Sequence, residues 1–172
     1  MSVSQGPFSV EPLQDRHDRT NFVSGVAELD QYFQTQVGQD ARRKVAAPFV
    51  LVSREQTVVG YYTLSAYTIR LAELPAEVAK KLPRYPLLQA TLLGRLAISR
   101  NYHGQRLGQF LLMDALYRSW ENTREIGSVG VVVEAYNESA EEFYRHHEFI
   151  SLPGQFRRLL MAMATIKKLF SE

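Results

Sequence analysis

The sequence predicts an α/β (α+β) domain on a mixed central sheet, with the element order β-α-β-β-(α)-β-α-β-α-β-β. Three observations predict it. Two near-continuous apolar runs, QATLLGRLAIS at 89–99 and VGVVVEA at 129–135, have the pattern of strands buried on both faces. Each run leads into a segment whose apolar residues recur at helical spacing. Ahead of them, 49–52 and 57–69 are rich in Val, Tyr, Thr and Phe and are separated by the polar Ser53-Arg54-Glu55-Gln56, which reads as a β-meander.

Taken in order, Phe8 and Val10 alternate with Ser9 and Glu11, a short half-buried strand over 8–13. Val26, Leu29, Tyr32 or Phe33, and Val37 then recur as one face of a helix. Glu28 and Asp30 lie early and Arg42, Arg43 and Lys44 late, as the helix dipole favours, and Pro48 is expected to stop it. After the meander, Pro75 suits a first helical position, so 75–82 predicts a short helix. Pro83 and Pro86 then enclose a loop around Arg84 and Tyr85. The strand at 89–99 turns through HGQRLG (103–108) into a helix with a wide apolar stripe of Leu107, Leu111 and Ala115 flanked by Leu112, Leu116 and Trp120. The run at 129–135 is followed by Asn137-Glu138-Ser139, a helix start, and then by Ala140, Phe143 and Tyr144. Two short strands, 149–152 and 157–164, close the chain around Pro153-Gly154. With no repeat, low-complexity tract or long polar linker, a single domain is expected over 1–172.

Composition excludes several classes of function. The 172 residues contain no Cys, so disulfides, thiolate metal sites and a cysteine-linked acyl intermediate are impossible. Lys and Arg total 20 against 18 Asp and Glu, and charged residues make up 22%. That balance is neither a basic nucleic-acid coat nor an acidic disordered chain, so any basic function must be local. Residues 1–12 show no basic segment followed by an apolar one, and no stretch nears the roughly 20 apolar residues that span a bilayer. A soluble, cytoplasmic protein is expected. No His and carboxylate spacing resembles a metal site.

The strand, tight loop and helix around HGQRLG form an arrangement that binds anions, because the first N–H groups of a helix lack internal partners and the dipole adds positive potential. Around this loop the sequence resembles the GNAT (GCN5-related N-acetyltransferase) superfamily, and more closely its toxin members from bacterial type II toxin-antitoxin modules. The resemblance covers nearly the whole chain. It is carried by FVSGVAELDQYFQTQVGQDARRKVA, GYYTLSA, LPRYP, LLGRLAISRNYHGQRLGQFLL, VVVEAYNESAEEFYRHHEFISLP and LLMAMATI, in that order.

The resemblance implies a GNAT fold, with the central sheet splayed between two strands and helices on both faces, and acetyl-CoA as co-substrate without a metal. The main chain of Leu96, Ala97 and Ile98 would hold the pantetheine arm, and His103, Gly104, Gln105, Arg106, Leu107 and Gly108 the pyrophosphate. Asn137, a helix cap by its own chemistry, would also contact the cofactor. The family prefers Gln or Arg at the first loop position and Gly at the fourth, where this chain has His103 and Arg106. An outward-pointing Arg106 is compatible with main-chain phosphate binding. The toxin family's catalytic tyrosine falls on Tyr144. A phenol with pKa near 10 is protonated at neutral pH and serves as general acid to a departing thiolate. Glu134, His103, His146 and His147 are lower-ranked acid-base candidates.

Toxin relatives acetylate the amino acid on charged tRNA. An α-amine, with pKa near 8, needs a general base less than a lysine does, in keeping with the lack of an obvious base in the sequence. Candidate tRNA contacts are Arg42, Arg43, Lys44, Arg84, Tyr85 and Arg95. The resemblance also implies a homodimer and a ribbon-helix-helix antitoxin that carries the DNA contact. The alternatives are acetylation of a small amine or protein N-terminus, and a non-catalytic acetyl-CoA-binding regulatory module.

Overall fold

The computed structural model describes residues 3–171; Met1 and Ser2 of the 1–12 stretch, and Glu172, lie outside the described residues. The chain forms two compact units, one made of residues up to 65 with 94–115, the other of 66–93 with 116 onward.

The first unit contains β1 (Val3–Gln5), β2 (Phe8–Pro12), α1 (Ala27–Thr35), α2 (Val37–Arg42) and β3 (Ala47–Val52). It also holds the first part of β4 (Val58–Arg70), the last part of β5 (Leu87–Ile98) and the start of α4 (Leu107–Glu121). Its strands run in the order β1-β2-β3-β4-β5. The hairpin of β3 and β4 sets Phe49 opposite Tyr62 and turns through Ser53 to Gln56, the loop expected from the polar tetrapeptide. Aromatic rings fill the core. Phe33 stacks on Tyr61 at 4.3 Å, Phe22 packs edge-on against both, and Val50 and Ala97 join them. Burial of each large side chain contributes about 1.5–3 kcal/mol. Two buried tyrosine hydroxyls are satisfied within the unit: Tyr61 donates to the Leu29 carbonyl at 2.7 Å, and Tyr62 to Asp114 at 2.6 Å.

The helix expected across Val26 to Lys44 is two helices, with Gln36 at φ −119° between them. Buried Leu29, Phe33 and Val37 keep their 3.6-residue spacing across a one-residue joint, so periodicity alone does not reveal the break. Pro48 does not stop a helix. It is a residue of β3 paired with Thr63, and α2 ends at Arg42, where Lys44 turns the chain at φ +62°. The Val45 N–H bonds the Asp40 carbonyl and the Lys44 N–H that of Ala41, a Schellman closure with lysine where glycine is usual. β1 had no counterpart in the sequence reading.

The second unit holds the rest of β4, α3 (Ala76–Ala79), the first part of β5, the rest of α4, β6 (Gly130–Glu134) and α5 (Glu138–His146). β7 (Ile150–Ser151), β8 (Arg158–Ala162) and α6 (Met163–Phe170) complete it. Its strands run in the order β4-β5-β6-β8-β7. Thr91–Leu93 of β5 pair in parallel with Val131–Val133 of β6, while β6 with β8 and β7 with β8 are antiparallel. The mixed sheet follows from this. Ile69, Leu88, Val132, Leu152 and Leu160 form the core.

Pro75 sits one position before α3, as its cap, and not at the first helical position. The strand expected over 157–164 ends at Ala162, and a helix that the sequence reading missed follows it. Ile166 of α6 is fully buried, and Phe170 stacks on Trp120 with ring centres 5.9 Å apart. The unbroken apolar run through 159–163 conceals the change of period, which appears only in the i, i+4 pair of Ile166 and Phe170. Among the described residues no helix is long and apolar enough to cross a membrane.

Candidate active site

The sequence-predicted site residues fall in both units. In the first, β5 runs on past its parallel register through Leu96, Ala97 and Ile98. Gly60 on β4 makes close approach possible there: a Cβ at this position would lie 2.9 Å from the Ala97 carbonyl oxygen and 2.7 Å from the Ile98 side chain. The Ser99 N–H bonds the Val59 carbonyl at 2.7 Å and closes the strand end. A single helical turn, Arg100–Tyr102, leads into the loop.

The loop itself is exposed from His103 to Arg106, and buried Leu107 anchors the start of the 15-residue α4. His103 Nε2 lies 2.8 Å from the Ile98 carbonyl, so that nitrogen carries the proton and pins the loop back onto the strand. Gly104 adopts φ +83° with open space where a Cβ would be, and Arg106 adopts φ +60°. The family's preference for glycine at that fourth position has its physical reason here, because the left-handed region costs an L-residue about 1–2 kcal/mol. Arg106 accepts that strain with its side chain in solvent. The residues fit a diphosphate: a left-handed turn at Gly104 and Arg106, a second glycine at 108, and the first N–H groups of a 15-residue helix, which have no partner within the helix itself.

In the second unit, Asn137 precedes α5, and its Oδ1 accepts the Ala140 N–H at 2.8 Å, so the capping role is realised. Glu138 and Glu141 in the first turn and Arg145 and His146 in the last complement the dipole. Tyr144 faces inward with 7% of its surface exposed. Its ring packs against Phe143 at 5.2 Å and Phe149 at 5.3 Å. Burial, and after it the charge on Tyr136, push the phenol well above its ordinary value of 10, which keeps the hydroxyl protonated. A Schellman closure fixes the helix end. The Phe149 N–H bonds the Tyr144 carbonyl at 3.1 Å and the Glu148 N–H that of Arg145 at 3.0 Å, with Glu148 at φ +71°. Tyr144 and Phe149 are the hydrophobic pair of that motif.

The lower-ranked candidates are otherwise engaged. Glu134 is exposed and paired with Arg158, whose guanidinium also bonds Gln155 at 2.7 Å. His147 packs on Phe143 at 4.9 Å, and burial, then the neighbouring His146, hold it below its usual 6.5. Of the basic residues, Arg42, Arg43 and Lys44 are exposed at the end of α2, and Arg84 and Tyr85 are exposed before β5. Arg95 differs. It lies 3.5 Å over the Tyr32 ring, and the Tyr32 hydroxyl donates to Asp40 at 2.7 Å. Sequence reasoning missed Tyr136, a half-exposed phenol that bears electrostatically on Tyr144, and Arg19, which lines a pocket with Arg42 and Lys44. Tyr136 was legible as an aromatic between strand and cap; Arg19 carried no local signal.

The fold and these elements define a class: the chain belongs to the acetyltransferase (GNAT) family, whose sequence profile matches residues 13–149. Within it, the chain is 30% identical over 160 residues to a tRNA-acetylating toxin of Mycobacterium tuberculosis H37Rv, covering 93% of this chain and 95% of the relative. Among solved structures it matches a tyrosine-to-phenylalanine variant of KacT (TM-score 0.89, 29% identity, 95% of this chain and 99% of the other). It matches AtaT complexed with acetyl-methionyl-tRNAfMet similarly (TM-score 0.87, 32% identity, 95% and 99%). AtaTR bound with acetyl-CoA also superposes (TM-score 0.85, 31% identity, 97% and 100%).

Proposed function

We propose that this protein is a toxin acetyltransferase that transfers the acetyl group of acetyl-CoA to the α-amino group of aminoacyl-tRNA and so blocks translation. The observation that carries the reading is the likeness to a tRNA-acetylating toxin along 93% of the chain. The AtaT complexes with acetyl-CoA and with acetylated tRNA support the two substrates.

Acetyl-CoA supplies the thioester to be cleaved. Leu96, Ala97 and Ile98 hold its pantetheine arm through the main chain, the 103–108 loop and the start of α4 hold its pyrophosphate, and Asn137 adds a contact at the cap. The neutral α-amine forms a C–N bond to the acetyl carbon as the C–S bond breaks; the amine proton passes to water. Tyr144 gives its hydroxyl proton to the departing sulfur and is reprotonated from solvent. Because burial favours the protonated phenol, Tyr144 is a donor at neutral pH and not a standing base. Arg42, Arg43, Lys44, Arg84 and Tyr85 contact the tRNA, and Arg95, stacked on Tyr32, braces α1.

The protein acts in the cytoplasm as a homodimer, restrained by a ribbon-helix-helix antitoxin through which the complex reaches DNA. The test is incubation with acetyl-CoA and charged tRNA, followed by mass spectrometry of the tRNA-linked amino acid. An N-acetylated product is expected, and Tyr144→Phe should lower kcat by about 10²–10⁴-fold with little change in KM for acetyl-CoA. A Tyr144→Phe enzyme as active as the parent refutes the proton-donor role; the absence of any N-acetyl-aminoacyl-tRNA refutes the function.

A further inference from the structure

The first unit contains a pocket of about 300 Å³ between the segment after β2 and helix α2, lined by Arg19, Arg42 and Lys44 together with Asp15 and Gly38. Three cations face one carboxylate. Two of the three cations meet at a single point: a Cβ on Gly38 would lie 2.9 Å from one Arg19 guanidinium nitrogen and 3.3 Å from one of Arg42. Glycine at 38 is thus what allows both guanidinium groups to converge. Among the described residues none of the three cations forms an ion pair, although Arg16, three positions before Arg19, is paired with Glu11. Three like charges against one carboxylate leave an excess of positive charge, and an anion seated between the arginines offsets their repulsion.

Helix-end preference accounts for Arg42 and Lys44 at the C-terminus of α2, but not for Arg19, which arrives from a different segment. Lys44 moreover occupies the left-handed position of the α2 closure at φ +62°, where glycine would be cheaper. Its side chain lines the pocket, which gives a reason for the lysine.

We propose that this pocket seats a backbone phosphate of the RNA substrate, with Arg19 and Arg42 as a paired guanidinium clamp, Lys44 as a point charge and Gly38 as the spacer that admits both arginines; the assignment rests on the aminoacyl-tRNA reading above. Guanidinium forks match phosphate oxygens in geometry. The exposed Arg43 beside Arg42 extends the positive potential beyond a single anion, which suits a polyanion better than one carboxylate of a protein partner.

The test is binding of deacylated tRNA to the full-length protein by fluorescence anisotropy over a salt series, beside calorimetry with acetyl-CoA. The Arg19→Ala/Arg42→Ala double variant is expected to bind tRNA at least tenfold more weakly, with a shallower dependence of log K on log salt. Gly38→Ala should do the same more mildly, because it meets only the movable tips of the two arginines and leaves the backbone alone. Unchanged tRNA affinity and salt slope overturn the proposal. So does a variant that loses acetyl-CoA instead, since the pocket then serves the cofactor's phosphates. A parent that binds tRNA through these arginines yet acetylates no charged tRNA leaves the pocket standing and overturns the function.

Discussion

At the scale of single residues, the main chain decides more than the side chains do. Lys44, Arg106 and Glu148 all occupy left-handed conformations that glycine adopts without cost. For Arg106 the sequence showed the anomaly, an arginine where the family has glycine, and the structure supplies its reason. For Glu148 nothing local announced it, because the residue is recognisable as the turn of a Schellman motif only once Phe149 is seen bonding back to Tyr144. Glu148→Gly relieves the steric cost and adds some unfolded-state entropy, for a net gain of about 0.5–1 kcal/mol. Chemical denaturation should show that gain with acetyl transfer retained, since Tyr144 keeps its backbone bond to Phe149. A loss of stability would mean that Glu148 carries a contact outweighing its strain.

Elements impose their own constraints. The strand assignments from alternation and apolar runs fall within two residues of the observed β2, β4, β5 and β6, because buried strands write their period directly into the sequence. The joint at Gln36 and the helix α6 were not legible. In the first case two helices share one apolar face, and in the second a continuous apolar run carries the strand into the helix. Where β4 meets β5, Gly60 faces a backbone oxygen that cannot move aside. Gly60→Ala is therefore expected to displace Ala97 and Ile98, destabilising the protein by about 1–3 kcal/mol and weakening acetyl-CoA binding several-fold. Thermal denaturation and calorimetry measure the two effects. A variant of parental stability and affinity would show that β5 yields without cost.

For the molecule as a whole, acid is the condition to which the fold should respond. Burial works to raise the Glu11 carboxyl, but hydrogen bonds from His17 and Arg16 outweigh it and hold it below its usual 4.5. The folded state thus binds that proton less readily than the unfolded one, so the stabilisation is present above 4.5 and lost as pH falls through the lower folded value. His147, held below 6.5 by burial, follows the same sign. The unfolded chain takes up its proton first, and stability begins to fall as pH drops below 6.5. The melting temperature is expected to decline in two stages, the first below pH 6.5 and the second below pH 4.5. His147→Gln should remove the first stage only; a pH profile identical to the parent's would assign that stage elsewhere.

The sequence by itself determined the family, through several motifs in one order along nearly the whole chain, and the chain order of the principal strands, through local periodicity; it also singled out the 103–108 loop and Tyr144 as site candidates, through the same resemblance. Its near-balance of 20 basic against 18 acidic residues fixed only an average. The tertiary structure decided which charges stand alone. Arg158 and Arg16 found carboxylates and Arg95 an aromatic face, whereas Arg19 and Arg42, 23 positions apart, were brought to the same glycine. Pairing and convergence of this kind depend on contacts between distant segments, and no spacing rule in a single chain encodes them.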